Sequence, residues 1–333
     1  MFFVLPEKPD KVMEARDDAA SETNKKITMH LYNEYGPWLK EQLGGKSQKI
    51  SINAGFTCPN RDGSVGVGGC TYCNNQTFNP AYCATAKSIT QQLEEGKAFF
   101  ARKYSGMQYL AYFQAYTNTY DSVENLRMKY EEALAVPGVV GIVIGTRPDC
   151  MPDALLDYLE QLNRRTFLLV EYGIESVYDA TLRRINRGHT HAQTVDAVAR
   201  TAERGIKVGA HVILGLPGEG RDALMEESRI LSQLPITMLK LHQLQLIKGT
   251  RMADEYVMSP SDFHLFSVDE YVDLAVDFVE LLRPDIIIER FASQSPASLL
   301  ATKGWGLKNY ELVERIKKRM AQRGAWQGRL YGM

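Results

Sequence analysis

The sequence predicts an α/β fold, a partial TIM barrel of six β/α units with a C-terminal α/β extension. Six short runs of β-branched or aromatic residues alternate with longer amphipathic stretches. The predicted strands are residues 49–54, 109–115, 139–145, 167–173, 208–215 and 239–247. Strands joined by helical crossovers form parallel sheets, and six units are too few to close an eight-stranded barrel. A chain of 333 residues is long enough for one large domain of this kind.

The segments that precede and separate the strands are assigned from composition and periodicity. Residues 1–26 are charged and rich in Ala, Ser and Thr, which predicts a disordered or loosely packed arm. Residues 28–43 carry a helical apolar pattern that ends at Gly44 and Gly45. Further helices are predicted at residues 153–162, 194–204 and 221–234. We therefore place the barrel domain at residues 27–255.

The alternation weakens after Tyr256. Residues 268–282 have a helical pattern, residues 285–290 are apolar and typical of a strand, and residues 312–321 predict a last helix. We expect residues 256–333 to form an extension packed on the barrel, not a separate domain.

The composition is that of an ordinary globular enzyme, with 44% hydrophobic and 24% charged residues. The net charge of −1 gives no global attraction to nucleic acid or anionic membrane. No uncharged apolar run reaches the roughly 20 residues that span a bilayer. The apolar residues 1–5 are too few for a signal peptide. These observations predict a cytoplasmic protein that does not associate with a membrane.

Three of the five cysteines lie close together in a glycine-rich segment after the first predicted strand. Cys58, Cys70 and Cys73 have the spacing C-x11-C-x2-C. Thiolates are the usual ligands of iron–sulfur clusters, and three of them leave one iron open to a further ligand. A structural zinc ion is the alternative, and it needs a fourth ligand such as Cys83. The spacing alone leaves both interpretations open.

Longer motifs surround these cysteines. They are GFTCPNRDG (55–63), GGCTYC (68–73), QAYTNTY (114–120), IGTRPDC (144–150), NRGHT (186–190), HVILGLPGE (211–219), KLHQLQLIKGT (240–250) and WQG (326–328). With them, the chain from about Tyr32 onward resembles the radical SAM superfamily, in particular its YhcC/YtqA-type members, which are related to the Elongator catalytic subunit. The resemblance implies a [4Fe-4S] cluster on Cys58, Cys70 and Cys73 that cleaves S-adenosylmethionine (SAM) reductively to a deoxyadenosyl radical. It also implies a reducing electron donor of the flavodoxin or ferredoxin type.

The resemblance also assigns SAM contacts at the carboxyl ends of the strands, where open α/β sheets bind ligands. Tyr72 matches a position near the adenine, and Arg187 matches one that pairs with the SAM carboxylate. Gln114 and Asn118 stand where relatives have a Gly-Gly-Glu signature, so amide oxygens would accept from the SAM amino group. The remaining predicted SAM contacts are the ribose ligands Glu171 and Glu175. Most relatives have Gln at the second of these two positions.

Two further residues of the predicted strand ends have alternative interpretations. His211, in the fifth strand, is a cofactor or substrate contact or else a satisfied core histidine. Cys150, after the third strand, is a hydrogen-atom donor or substrate thiol and our candidate catalytic residue, or else a buried cysteine.

The substrate is predicted from the resemblance and from one charge pattern. Elongator-type enzymes act on the wobble uridine of tRNA, so the resemblance implies tRNA modification. The C-terminal segment is basic and contains two aromatic residues, which suits RNA, although a solvated amphipathic helix has the same pattern. Its members are Arg315, Lys317, Lys318, Arg319, Arg323, Trp326, Arg329 and Tyr331. The alternatives are a radical SAM enzyme acting on a small metabolite or a protein, and a non-catalytic zinc-binding protein.

Overall fold

The computed structural model describes residues 30–77, 80–102 and 106–333. The predicted arm, residues 1–26, lies outside the described residues. The first helix, α1, spans Tyr35–Leu43 and begins later than the apolar pattern that starts at residue 28. Glu34, its extended N-cap residue, instead makes an isolated parallel bridge to Ile288. The helix ends as predicted at Gly44, which takes the left-handed φ of 68° that favours glycine.

The strands form one parallel sheet in chain order. They are β1 Ser47–Ile52, β2 Gln108–Phe113, β3 Val139–Thr146, β4 Phe167–Glu175, β5 Lys207–Leu214, β6 Met238–Gln243 and β7 Ile287–Arg290. The predicted α/β partial barrel is confirmed, but the described sheet has seven strands, not six. The seventh comes from the C-terminal extension, since Met238 of β6 pairs in register with Ile287 of β7. The sixth strand is shorter than predicted because the chain leaves the sheet after Gln243.

The helices cover the outside of the sheet. After α1 they are α2 Ile89–Ala101, α3 Val123–Leu134, α4 Asp153–Asn163, α5 Asp179–Arg184, α6 His191–Glu203, α7 Arg221–Gln233, α8 Arg251–Met258, α9 Val268–Leu281 and α10 Asn309–Arg323. The five helices predicted after the third strand are confirmed within a few residues. The largest differences are at the starts of α6 and α10, which begin three residues early. Thr190 explains the first of these, because it forms a capping box with Gln193. None of the helices in the described ranges is long and apolar enough to cross a membrane.

The inner face of the barrel is apolar at the amino ends of the strands and becomes polar towards their carboxyl ends. At the amino ends of the strands, inward apolar residues such as Leu110, Val143 and Leu169 pack with Leu39 of α1, which covers this end. The next inward residue of β4 is Glu171, which is fully buried in a layer of charged side chains. Above this layer the barrel opens into a cavity at the carboxyl ends of the strands. The fold thus gathers the polar side chains of the barrel interior towards the carboxyl ends of the strands.

Candidate active site at the carboxyl ends of the strands

The cavity at the carboxyl ends has a volume of about 1350 Å³ including its open mouth, enough for a cofactor and part of a substrate. Strand ends and loops from all around the barrel contribute side chains to it. The lining includes Cys58, Arg61, Cys70, Tyr72, Cys73, Tyr112, Gln114, Tyr116, Arg147, Glu171, Glu175, Arg187, His211, Lys240, His242, Arg290 and Ser293. All three predicted cluster ligands therefore meet the same space.

The loop that carries the cysteines is tied to the segment after α5. The Asn186 side chain donates to the Gly69 carbonyl at 2.8 Å, and the Thr71 amide donates to the Ile185 carbonyl at 2.9 Å. Arg187 then donates through Nη1 to the Cys70 sulfur at 3.5 Å. A hydrogen bond from a cation to sulfur favours the thiolate form that ligates iron. The fold thus brings the cysteine motif and the NRGHT motif into contact, although they lie far apart in the sequence.

The glycines of the loop act in two ways. Gly68 and Gly69 adopt left-handed φ values of 79°, as the sequence suggests for such a run. Gly66 instead permits a close approach, because a Cβ there would lie 2.2 Å from the Asn60 side-chain oxygen. Both devices let the backbone wrap tightly around the cysteines.

Backbone strain is concentrated beside the cavity. In the described part of the chain, the non-glycine residues with positive φ are Tyr116, Glu175 and Asn186, at 62°, 69° and 51°. Tyr116 and Glu175 line the cavity, and Asn186 precedes Arg187. Such conformations cost free energy and persist where the surroundings impose them, commonly at functional sites. The strain therefore indicates the same site as the cysteines.

The structure brings most of the predicted SAM contacts together. Tyr72, Gln114, Glu175, Arg187 and His211 all line the cavity. Arg187 is 7% exposed, lies 3.5 Å from the Glu175 carboxylate, and has a buried Nε with no hydrogen-bond acceptor among the described residues. A guanidinium with one unused donor beside the cysteines suits a carboxylate ligand.

Two predicted residues lie outside the lining of this cavity. Asn118 is fully buried and donates to the Gly145 carbonyl at 2.7 Å, so it braces the loop after β2. Cys150 borders a neighbouring pocket with Asp149, and burial raises the pKa of its thiol to about 12. Their assigned roles stay predictions, and the surroundings of Cys150 are those of a buried structural cysteine.

Glu171 is the centre of the charged layer beneath the cavity. Its carboxylate accepts from the Lys49 ammonium at 2.7 Å, from Lys240 at 2.6 Å and from His211 at 3.0 Å. Glu289 of β7 accepts from the same two lysines at 2.6 and 3.2 Å. Although burial opposes it, the two lysines hold the pKa of Glu171 well below its usual range. Glu171 faces the cavity, but these contacts already engage both of its oxygens.

Three further residues that line the cavity, Lys240, His242 and Arg147, were not singled out from the sequence. Burial lowers the pKa of Lys240 to about 8, and burial together with His211 and Arg290 keeps His242 neutral by lowering its pKa. Arg147 is 2% exposed and pairs with Asp149 at 2.8 Å. The sequence contains a signal for Lys240 and His242. Polar residues alternate with apolar ones along β6, whose other positions are buried.

The comparisons with known proteins identify the family of the chain. The radical SAM superfamily model matches residues 55–229, and the Radical_SAM C-terminal domain model matches residues 236–322. YtqA of Bacillus subtilis is 38% identical over 304 residues, which are 91% of this chain and 94% of its own length. YhcC of Escherichia coli K12 is 35% identical over 276 residues, which are 83% and 87% of the two chains.

More distant relatives include the Elongator proteins. Elongator complex protein 3 of Homo sapiens is 28% identical over 211 residues, which are 62% of this chain and 36% of the human protein. The solved structure of Elp3 from Methanocaldococcus infernus superposes with a TM-score of 0.62 at 16% identity, covering 84% of this chain and 64% of that one. At this identity the superposition shows a shared fold.

The fold and the family models define a radical SAM enzyme. The chain belongs to the radical SAM superfamily and, within it, to the YhcC/YtqA-type family related to Elongator complex protein 3. Its cofactors are a [4Fe-4S] cluster and SAM, and enzymes of this class need an electron donor. The residues present fit both groups: three cysteines face one cavity, and Arg187 offers an unused buried donor beside Cys70.

The zinc alternative does not agree with the structure. Cys83, the fourth ligand it requires, is 6% exposed and belongs to the main hydrophobic core, outside the cavity lining. The family match, over residues 55–229, is to a superfamily of enzymes that use a [4Fe-4S] cluster. A non-catalytic zinc protein is therefore the wrong interpretation.

The bridge from Arg187 to the Cys70 sulfur gives a first prediction. Replacing Arg187 by Lys keeps the charge but removes the planar fork that reaches the sulfur, the Gly173 carbonyl and Glu175 together. We expect Arg187→Lys to retain iron while deoxyadenosine formation falls about 10–100-fold, the usual effect of losing a partner of a metal ligand.

The measurement is iron content and deoxyadenosine yield of the anaerobically reconstituted protein. Arg183→Lys, at an exposed position of α5, is the matched control and should behave as wild type. Equal activity of the two variants would show that Arg187 has no role at the cluster.

Proposed function

We propose that the protein is a cytoplasmic radical SAM enzyme that modifies the wobble uridine of tRNA, with electrons from a flavodoxin- or ferredoxin-type donor. The cluster and SAM would supply reductive C–S bond cleavage to a deoxyadenosyl radical. The family relation to Elongator-type enzymes supports the substrate. The observation that carries the proposal is a pair of guanidinium groups in the cavity lining, those of Arg61 and Arg290, which have no carboxylate partner among the described residues. Such groups suit a polyanionic substrate.

The chain's own residues would bind and orient the two reactants. Cys58, Cys70 and Cys73 would hold the cluster, and Arg187 would pair with the SAM carboxylate beside it. Tyr72 packs against apolar residues of α5, α8 and the loop after β6, an arrangement that suits a flat adenine. Glu175 and Gln114 would accept hydrogen bonds from the ribose and the amino group. These assignments remain proposals.

The basic C-terminal segment gives the substrate less support than the sequence suggests. Arg323 pairs with Asp277 and Glu280, and Arg319 pairs with Asp273, all across the contact of α10 with α9. Lys317 pairs with Glu34 at 2.9 Å, and Arg329 pairs with Glu280. Most of this positive charge is therefore neutralised within the fold. Arg315 and Lys318 are exposed, and among the described residues neither has a carboxylate partner.

The test of the substrate is a comparison of tRNA nucleosides. We expect tRNA from a strain that lacks the gene to differ from parental tRNA at one wobble-uridine derivative, measured by liquid chromatography and mass spectrometry. A wild-type gene should restore the profile, and a Cys70→Ser copy should not. An unchanged profile would remove the tRNA proposal and favour a small-metabolite or protein substrate.

A further inference from the structure

The wall formed by β6 and β7 contributes its own polar side chains to the cavity. Lys240 and His242 of β6, Arg290 of β7 and Ser293 after it all line the cavity. In register, Lys240 pairs with Arg290, so the two cations stand on neighbouring strands. The assignments made above for SAM and the cluster use none of these four residues.

The charges of this wall do not balance. Lys49 and Lys240 are matched by Glu171 and Glu289, with distances of 2.6–3.2 Å. Arg290 is left over: within residues 30–77, 80–102 and 106–333, no acceptor lies within hydrogen-bonding distance of its guanidinium. A half-buried guanidinium that is open to the cavity and has no carboxylate partner is available to pair with an anionic ligand.

His242 provides a second unused group beside it. Its Nδ1 contacts the Ser293 hydroxyl, while its buried Nε2 has no partner among the described residues. A buried imidazole nitrogen without a partner also costs free energy. The neutral ring can donate or accept one hydrogen bond from a ligand.

A second groove opens from the same side of the cavity. The two spaces share the lining residues Thr77, Gln243, Gln245, Ser293 and Ser295. Among the described residues that line this groove, the charged ones are Lys303 and Lys308, and both are exposed. An approach whose charged side chains are both cationic suits an anionic ligand.

We propose that Arg290 and His242 form the substrate subsite of this enzyme, with Arg290 pairing to an anionic oxygen group of the substrate nucleotide and His242 hydrogen-bonding the same nucleotide. The inference rests on the proposed nucleotide substrate. The anionic group is a phosphate or a carboxylate, which share the geometry that a guanidinium recognises. Arg290 then acts in substrate specificity.

The test uses the anaerobically reconstituted, SAM-loaded enzyme and three pyrimidine ligands in calorimetric titrations. Uridine 5′-monophosphate carries a phosphate, orotidine carries a ring carboxylate, and uridine carries neither. We expect one of the anionic ligands to bind about 10–100-fold more tightly than uridine, the range of a charge-assisted hydrogen bond. The anion that is preferred identifies the group.

Variants separate the subsite from the rest of the site. Arg290→Gln should abolish the preference, Arg290→Lys should keep part of it, and His242→Phe should weaken all three ligands alike. Arg315→Gln, on exposed α10, is the matched control. Iron content and the visible spectrum of reconstituted Arg290→Gln should match those of the wild type, which shows that the fold and the cluster are intact.

Two results would overturn the inference: equal or undetectable binding of all three ligands to the wild type, or a preference that survives in Arg290→Gln. Failure of the wild type to form deoxyadenosine is a different outcome. It would reject the proposed radical chemistry itself.

Discussion

Replacing Cys70 by Ser should abolish deoxyadenosine formation and reduce bound iron from about four atoms per chain to near background, because a hydroxyl is a poor ligand for a cluster iron. Cys70 faces the cavity with Cys58 and Cys73, and its sulfur receives hydrogen bonds from Arg187 and Asn60. The loss of activity should equal that of Cys58→Ser or Cys73→Ser and exceed that of Arg187→Lys. Iron analysis, the visible spectrum and deoxyadenosine yield after anaerobic reconstitution measure it.

Cys83→Ser is the matched control for this experiment. Cys83 lies in the hydrophobic core outside the cavity, and burial raises the pKa of its thiol to about 11, so it stays protonated. The control should keep its iron and its activity. If Cys70→Ser kept both as well, the assignment of the cluster to this loop would be rejected.

Replacing Glu171 by Gln should lower the free energy of unfolding by about 3–5 kcal/mol, the usual cost of removing one partner from a buried ion pair. Lys49 and Lys240 would then share Glu289 alone and leave one positive charge uncompensated in the barrel. Urea unfolding of the apoprotein, followed by circular dichroism, measures the change. Glu160→Gln breaks an exposed pair with Arg164 on the outside of the barrel and should cost less than about 1 kcal/mol.

A second substitution distinguishes charge from packing. Lys240→Met in the Glu171→Gln background removes the extra positive charge, so it should restore part of the stability. The dependence on pH has a defined sign. The pKa of Glu171 is lowered on folding, so its stabilisation is complete above its ordinary value and is lost as the pH falls below it. Equal stability of Glu171→Gln and wild type would show that the ionic layer contributes nothing net.

The residues that the sequence predicts for the cluster site share one cavity because the signals that indicate them are local. The spacing of Cys58, Cys70 and Cys73 and the glycines between them lie in one short segment, and the motif resemblance added Arg187 and Tyr72. All of these residues line the cavity. Residues assigned by position in a loop were less certain, since Asn118 braces backbone instead of facing the cavity. The side toward which a loop residue turns depends on the neighbouring strand, and the sequence does not contain that information.

The basic C-terminus shows a different limit. A run of Arg and Lys without acidic residues suggests an open cationic surface when it is considered alone. The carboxylates that neutralise it, Asp273, Asp277 and Glu280, lie on α9, more than 40 residues earlier in the chain. Charge patterns along one helix predict its surface only when the packing partner is known.

The sequence by itself determined the α/β partial barrel and most of the helices and strands, because local periodicity encodes them, and its cysteine spacing with the motif resemblance predicted the cluster ligands. The tertiary structure decided what depends on contacts between distant segments. It added β7 to the sheet through pairing with β6. It also placed Glu171 in an ionic layer with Lys49, Lys240 and Glu289. Arg290 has no carboxylate partner among the described residues because the neighbouring carboxylates, Glu171 and Glu289, pair with Lys49 and Lys240. These four residues come from four different strands, so their pairing depends on the closure of the barrel.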